Sequence, residues 1–257
     1  MSAFFVVPRT FTVVSANQSA LAPASQGNVD EPGLTWRSAT LATVNVIIDL
    51  GASPASYDTV ALIGHNLRAT DTVQVRTGAT TTGTGGYAGV PTAAFIGNKP
   101  MDWAGKTIIR LGTARTERYI RIDISAPSHP VTYTEVQRIV AGQANTVLGI
   151  DFDSEQGVKD FSDIETIGGV DIITPRKAVI THKAKISWLD ADAWRNDWLP
   201  ALVDAGKRKA VLFVPQDYTP ANWQTEVVFG RIKNDVAGKS PANSLRAIEL
   251  TIEGLAL

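Results

Sequence analysis

The chain has 257 residues, enough for one large β domain or two ordinary ones, and its 44% hydrophobic and 19% charged content is a globular balance that excludes a disordered tail. A net charge of −1 offers no field to hold DNA or an anionic membrane, and the absence of cysteine removes disulfide frameworks, thiolate metal sites and cysteine nucleophiles. No apolar run approaches the roughly 18 residues of a bilayer span, and the opening Met-Ser-Ala-Phe-Phe-Val-Val-Pro has neither a basic leader nor a usable h-region. The expectation is a soluble protein made in a reducing cytoplasm.

In chain order, residues 4–7 and 11–14 are short β-branched and aromatic runs split by Pro8 and Arg9, which predicts a sheet edge or a crossing between sheets. Residues 15–32 are poor in large apolar side chains and read as a long surface loop leading to Trp36, which is assigned to the core. Val44, Val46, Ile48 and Leu50 then alternate with Asn45, Ile47 and Asp49, the period of a strand with one buried face. After a Gly/Pro/Ser break at 51–56, residues 60–63 form a wholly apolar run suited to a sheet interior, and Val73 and Val75 alternate again after a turn at 64–67. Strands with tight breaks and no helical period predict an antiparallel sandwich. Residues 78–89 and 98–106 read as loops at the end of that sandwich, 107–111 and 118–124 as strands, and 131–140 as its last strand. The expected domains are 1–140 and 141–257.

The second half predicts strands at 171–174, 178–188, 210–215, 226–232 and 245–253. Between them lies one helix, 190–205, with Asp190 as N-cap and Gly206 just past its end. Trp194, Trp198 and Leu202 recur four apart and give it an apolar stripe. Pro200 should kink it or restart it after Leu199, and residues 207–209 (Lys-Arg-Lys) meet its negative end.

Chemistry has little foothold. His65, His129 and His182 are scattered without metal-binding spacing, and no P-loop, nucleophile elbow or dinucleotide fingerprint occurs. Catalytic, cofactor and metal residues are therefore not assigned, and no cofactor is expected. Acidic residues gather at Asp151, Asp153 and Glu155 and at Asp160, Asp163 and Glu165; a glycosidase would need two carboxylates facing one bond, whereas a solvated loop or strand face is the ordinary case. Tyr87, Phe95 and Trp103 lie in or beside the predicted loops, where they could touch a glycan or a partner, or could cap the core. The basic run 207–209 has no interleaved aromatics and reads as a helix end rather than a nucleic-acid site.

The phrases Trp36-Arg37-Ser38, Asp49-Leu50-Gly51 and Val60-Ala61-Leu62-Ile63-Gly64-His65-Asn66-Leu67, in that order, resemble the discoidin-like (galactose-binding-like) jelly roll, in the version found at the front of bacteriophage tail proteins. Pro23-Ala24-Ser25 partly matches a Pro-Ala-Ser-Asn-Leu phrase of that group. Phe229-Gly230-Arg231-Ile232 and the closing 249–253 strand resemble the ring-forming β-barrel domain of distal tail and tail-hub proteins. This resemblance implies a mainly β chain: an N-terminal sandwich followed by a smaller β-barrel-like α+β domain with one helix. It further implies a non-enzymatic structural component of a long-tailed phage tail tip or baseplate, located in the virion and made in the bacterial cytoplasm. Its partners would be its own copies in a ring and the tail tube, hub and fibre proteins, with neither nucleic acid bound nor membrane entered. Trp194 and Trp198 are the candidate subunit interface. The alternative is a carbohydrate-binding module touching host surface glycans.

Overall fold

The computed structural model describes residues 2–83, 86–89, 105–216, 223–242 and 244–255. Its strands build three stacked sheets with a helix on the last. The outer sheet has the order β2 (Thr12–Ala16), β4 (Val44–Asp49), β9 (Tyr119–Ser125), β6 (Thr72–Gly78), β7 (Tyr87–Gly89), all antiparallel. The middle sheet is β11 (Arg138–Gly142), β5 (Tyr57–His65), β8 (Gly105–Arg115). Between them lies the predicted sandwich core. Val44, Val46 and Ile48 pair across β9 with Ile124, Ile122 and Ile120, and this face packs on Val60, Leu62, Ile109, Leu111 and Ile139. Trp36, in the short strand β3 (Trp36–Arg37) opposite β10 (Glu135–Val136), is 1% exposed, and its indole N–H donates to the Asn17 carbonyl at 2.9 Å. A buried indole needs such an acceptor.

The middle sheet is covered on both faces, which explains why β5 reads as a continuous apolar run. Its second face, with Ala61, Ile63, Ile108 and Val140, packs on Phe4, Val6, Leu212, Val214 and Phe229 of the third sheet. That long antiparallel sheet has the order β12 (Ala144–Val147), β1 (Ala3–Val6), β17 (Ala210–Val214), β18 (Val228–Ile232), β20 (Leu245–Gly254), β16 (Ala178–Asp190), β13 (Glu155–Asp160), with β19 (Lys239–Ala242) also on β20. At Gly230 the backbones of β18 and β20 come so close that a Cβ would overlap the Glu253 carbonyl, so only glycine fits the Phe-Gly-Arg-Ile phrase there.

The mainly β class is as expected, a sandwich followed by a β-rich part with one helix; the long sheet is open, ending at β12 and β13, and no closed barrel forms among the described residues. Nor does the packing divide at 140: β1 sits in the long sheet between β12 and β17, while β2 pairs with β4 in the outer sheet. Pro8 and Arg9 are the crossing, since proline cannot donate to either ladder.

The predicted helix is present in three pieces: α1 (Ala191–Ala193), a π turn (Trp194–Trp198) and α2 (Leu199–Ala205). The Asp190 carboxylate accepts from the N–H groups of Asp192 at 2.8 Å and Ala193 at 3.2 Å. Pro200 has no N–H to continue the α ladder, and the wider π turn before it absorbs the misfit, with the Leu199 N–H reaching the Trp194 carbonyl. Gly206 ends the helix at φ +52°. Trp198, Leu202 and Ala205 pack on Phe5, Val211, Phe213, Ile186, Leu250 and Ile252, on the face of the long sheet away from the sandwich.

A further departure lies between β12 and β16. The acidic stretches contain β13 and a separate two-stranded ribbon, β14 (Asp163–Ile167) and β15 (Val170–Thr174), closed by Gly168 and Gly169 at φ +60° and +84°. Two successive positive-φ glycines suit the tight turn of a twisted hairpin.

Candidate functional site

One end of the sandwich gathers the segments 17–43, 66–71 and 126–137, because β2, β5, β7 and β9 end there and β4, β6, β8 and β11 begin there. These segments are tied down by polar contacts. Asn17 donates from Nδ2 to the Thr43 carbonyl at 2.8 Å and accepts on Oδ1 from the Ala39 N–H at 2.7 Å. Asp71, fully buried, takes Arg68 Nη2 at 2.7 Å and the Arg68 backbone N–H at 2.8 Å. The same guanidinium donates to the carbonyls of Pro127 at 2.7 Å and Ser128 at 2.9 Å, and the hydrogen bond to Asp71 raises its pKa. Ser128 sits at φ +59° inside this clamp, a left-handed conformation held by its neighbours.

His65 lies beneath the clamp. Its Nδ1 accepts from the Leu67 N–H at 3.2 Å, so Nε2 carries the hydrogen and donates to Thr107 Oγ1 at 2.8 Å. Burial pulls its pKa down to about 4, which keeps the ring neutral. Both nitrogens are spent on structure. His129 is likewise engaged, with Nε2 3.0 Å from the Asn66 carbonyl. His182, its pKa lowered by burial, places Nε2 3.0 Å from the Glu226 carbonyl. Among the described residues no group of His, Asp and Glu is placed to hold a metal ion.

At the edge of this end is a hollow of about 450 Å³ lined by residues including Gln18, Ser19, Arg37, Ser38, Thr132 and Tyr133. Arg37 Nε donates to Glu135 at 2.9 Å, and the guanidinium lies 5.0 Å from the centre of the Tyr133 ring. An aromatic body beside amide, hydroxyl and guanidinium groups can hold a polyhydroxylated ligand through stacking and hydrogen bonds. Sequence reasoning did not single out these side chains. The available signal was the two-residue period: with Trp36 inward, Arg37 had to face outward.

Of the aromatics expected to touch a glycan or partner, Tyr87 lies in edge strand β7 opposite Val75, and Phe95 and Trp103 lie outside the described residues. The expected subunit contact at the helix also needs correction. Trp198 is 1% exposed with its ring 4.6 Å from that of Phe5, and Trp194 is partly buried against the same core. The apolar stripe is consumed by the chain's own sheet.

The carboxylates have separate structural partners. Asp151 accepts from the Ser187 hydroxyl and backbone, Asp153 pairs with Lys185, and Asp163 pairs with Arg176 at 2.5 Å. Asp160 accepts from the Ser162 N–H at 2.8 Å, and Glu155 and Glu165 are exposed on β13 and β14. The basic run is also paired, Lys207 with Asp235 at 2.7 Å and Lys209 with Asp204 at 2.6 Å.

What stands out is apolar. Every residue of the β14–β15 ribbon is exposed. Ile164 faces Ile173 and Ile167 faces Val170 across it, and these four with Ile172 are between 51% and 66% exposed. Val158 on the neighbouring edge strand β13 is 67% exposed. Ile164 and Ile173 share one face of the ribbon, and Ile167, Val170 and Ile172 the other. A lone two-stranded ribbon is marginal in water, and apolar side chains exposed on both of its faces mark an interaction surface. No helix is long and apolar enough to cross a membrane among the described residues.

No family model matches the chain, and no curated protein sequence matches it. Among solved structures it is similar to a chitosan-binding module of a chitosanase/glucanase from Paenibacillus sp. IK-5, with 21% identity over 52% of this chain and 95% of that one, at a TM-score of 0.36. It is also similar to a CBM32 module of a family 31 glycoside hydrolase from Clostridium perfringens, with 12% identity over 52% of this chain and 91% of that one, at 0.43. A third likeness is to the structure of reduced XRCC1 bound to the DNA polymerase β catalytic domain, with 16% identity over 53% and 98% of the two chains, at 0.37. These likenesses assign neither a ligand nor an assembly to this chain.

Proposed function

We propose that the chain is a non-catalytic, self-assembling structural subunit. The observation that carries this reading is the β14–β15 ribbon, five exposed aliphatic side chains on a hairpin that pairs with no other strand among the described residues. Fully burying an exposed side chain of this kind contributes about 1.5–3 kcal/mol; these five are 51–66% exposed and divide two and three between the ribbon's faces, so a partner on each face would gain part of that. The ribbon carries Asp163, Glu165 and Asp171, of which Asp163 is paired with Arg176 just past β15, which leaves Glu165 and Asp171 to favour a basic or neutral receiving surface. Among the described residues, the long sheet leaves both end strands, β12 and β13, unpaired on one side. Two different free edges suit head-to-tail contacts between copies, the arrangement that closes rings. Together with the sequence resemblance, this supports a subunit of a ring in a phage tail tip, carried in the virion beside tube, hub and fibre proteins.

Sedimentation velocity and electron microscopy at the highest attainable concentration test it. The expected result is closed rings, lost when Ile164, Ile172 and Ile173 are all changed to Ser. A wild-type chain that stays monomeric overturns it.

A second reading has its own observation, the hollow beside Tyr133 and Arg37. In it the sandwich is a carbohydrate-binding module, an activity compatible with assembly. On a glycan array it expects selective binding that Tyr133→Ala abolishes. Loss on Trp103→Ala instead would move the contact to segment 98–106, and absence of any binding would remove this reading.

A further inference from the structure

Where the chain crosses from the long sheet to the sandwich it borders a second cavity, a cleft of about 420 Å³ distant in sequence and in lining from the hollow at Tyr133. Its walls are residues 7–10, sandwich residues at 50 and 53–55, Gln143 and Asn145, and the helix side, with Ala201, Asp204 and Lys209. The volume is in the lower range of ligand pockets, roughly 300–1,000 Å³, and such pockets favour the junctions between structural units.

The polar groups here are incompletely used. Arg9 is held by its backbone N–H on the Ala141 carbonyl at 2.9 Å and by Nη2 on the Ser56 carbonyl at 2.6 Å, while its buried Nε has no hydrogen-bond partner. Gln143 donates from Nε2 to Asp58 at 3.1 Å, but its buried Oε1 accepts nothing. Asp58 cannot serve Arg9, being already bound by Arg110 Nη2 at 3.1 Å and the Ala144 N–H at 2.8 Å. Asp204 attracts Arg9 electrostatically, yet its hydrogen bond comes from Lys209 at 2.6 Å. The charged lining is Arg9, Lys209 and Asp204, which leaves one positive charge uncompensated. Desolvation lowers the Arg9 pKa, but a guanidinium remains cationic at neutral pH. Unmet donors and acceptors of this kind are costly to bury.

We propose that this cleft binds a small hydroxylated carboxylate, a sugar acid by chemical class. Its carboxylate pairs with the Arg9 guanidinium. Its hydroxyls donate to the Asp204 carboxylate and accept from Lys209. A neutral sugar leaves the Arg9 charge unmet, and a bare anion makes no use of Asp204. This site stands independently of both readings above.

Calorimetric titration of the full chain with D-glucuronate, with D-glucose and acetate as controls, tests the assignment. Saturable binding of glucuronate is expected, with each control at least about tenfold weaker, the loss that follows removal of one charge-assisted hydrogen bond. Arg9→Gln should weaken glucuronate by a similar factor, checked for folding by near-UV circular dichroism. Asp204→Ala, at an exposed position, should weaken glucuronate severalfold and leave acetate unchanged. Arg37→Ala, in the other cavity, should change nothing. The proposal is overturned by no saturable binding, by acetate matching glucuronate, by a folded Arg9→Gln protein that binds normally, or by loss on Arg37→Ala.

Discussion

Strand β17 and the β14–β15 ribbon each carry five apolar side chains, with opposite fates. Ala210, Val211, Leu212, Phe213 and Val214 are all buried, with the middle sheet on one side and the helix on the other. Ile164, Ile167, Val170, Ile172 and Ile173 are all exposed, paired only with one another. β17 has neighbours on both edges, β1 and β18, which its own chain supplies. The ribbon has none beyond its twin strand. Aliphatic content therefore marks a surface that wants covering, and the fold decides whether the cover comes from within the chain.

The sharpest way to break this contrast is to cut into the covered side. Phe213→Ala removes a ring wholly buried between Phe5, Trp198 and their neighbours, and should cost about 3–5 kcal/mol. Urea unfolding followed by tryptophan fluorescence would measure it. A loss below 1 kcal/mol would mean that the helix layer is not packed as described.

The next effect comes from acid. His65 is neutral in the fold with a pKa of about 4, against 6.5 for an ordinary histidine. Below pH 6.5 the unfolded chain takes up a proton that the folded chain refuses, so stability is intact above that value. It falls as the pH drops toward 4, by about 3 kcal/mol in all. His65→Gln should flatten this part of the urea-midpoint profile between pH 6.5 and 4. An unchanged slope would show that His65 takes up its proton without unfolding cost.

The sequence disclosed most of what is periodic. The alternation from Val44 to Ile48 and from Ile120 to Ile124, the doubly buried run in β5 and the Asp190 cap each follow a local rule, and each is present. What it hid is non-local. Phe4 and Phe5 open the segment expected to begin the sandwich, yet their ladder partners, Val214 and Thr146 among them, lie 140 or more residues away. The stripe of Trp194 and Trp198 is real, but whether it meets the chain's own sheet or another subunit is not written in its spacing. Of the ribbon, β15 was legible as the strand at 171–174, but β14 escaped notice because Asp163 and Glu165 flank Ile164 and read as part of an acidic cluster. The polar cavities were invisible because Arg9 and Gln143, or Arg37 and Tyr133, meet only through the tertiary fold.

A smaller test addresses the helix that covers β17. Asp190→Ala deletes the carboxylate that takes two helix N–H groups and should cost about 1 kcal/mol. Asp190→Asn, which can still cap, should cost less. If the two variants are equally weakened, the interaction is with the helix charge rather than with its free N–H groups.

The smallest stability change belongs to the ribbon, and its smallness is the point. Changing Ile164, Ile172 and Ile173 to Ser removes apolar surface already in water, so the monomer's urea midpoint should correspond to a shift within about 0.5 kcal/mol. Serine also lowers β propensity, which acts in the same small range here because the ribbon contributes no core. If the same triple change costs several kcal/mol in a dilute, monomeric sample, the ribbon must be folded against its own chain in solution, and the distinction drawn from β17 fails. If stability holds while association disappears, the isoleucines serve a neighbour, and the exposed ribbon is to the assembly what β17 is to the monomer.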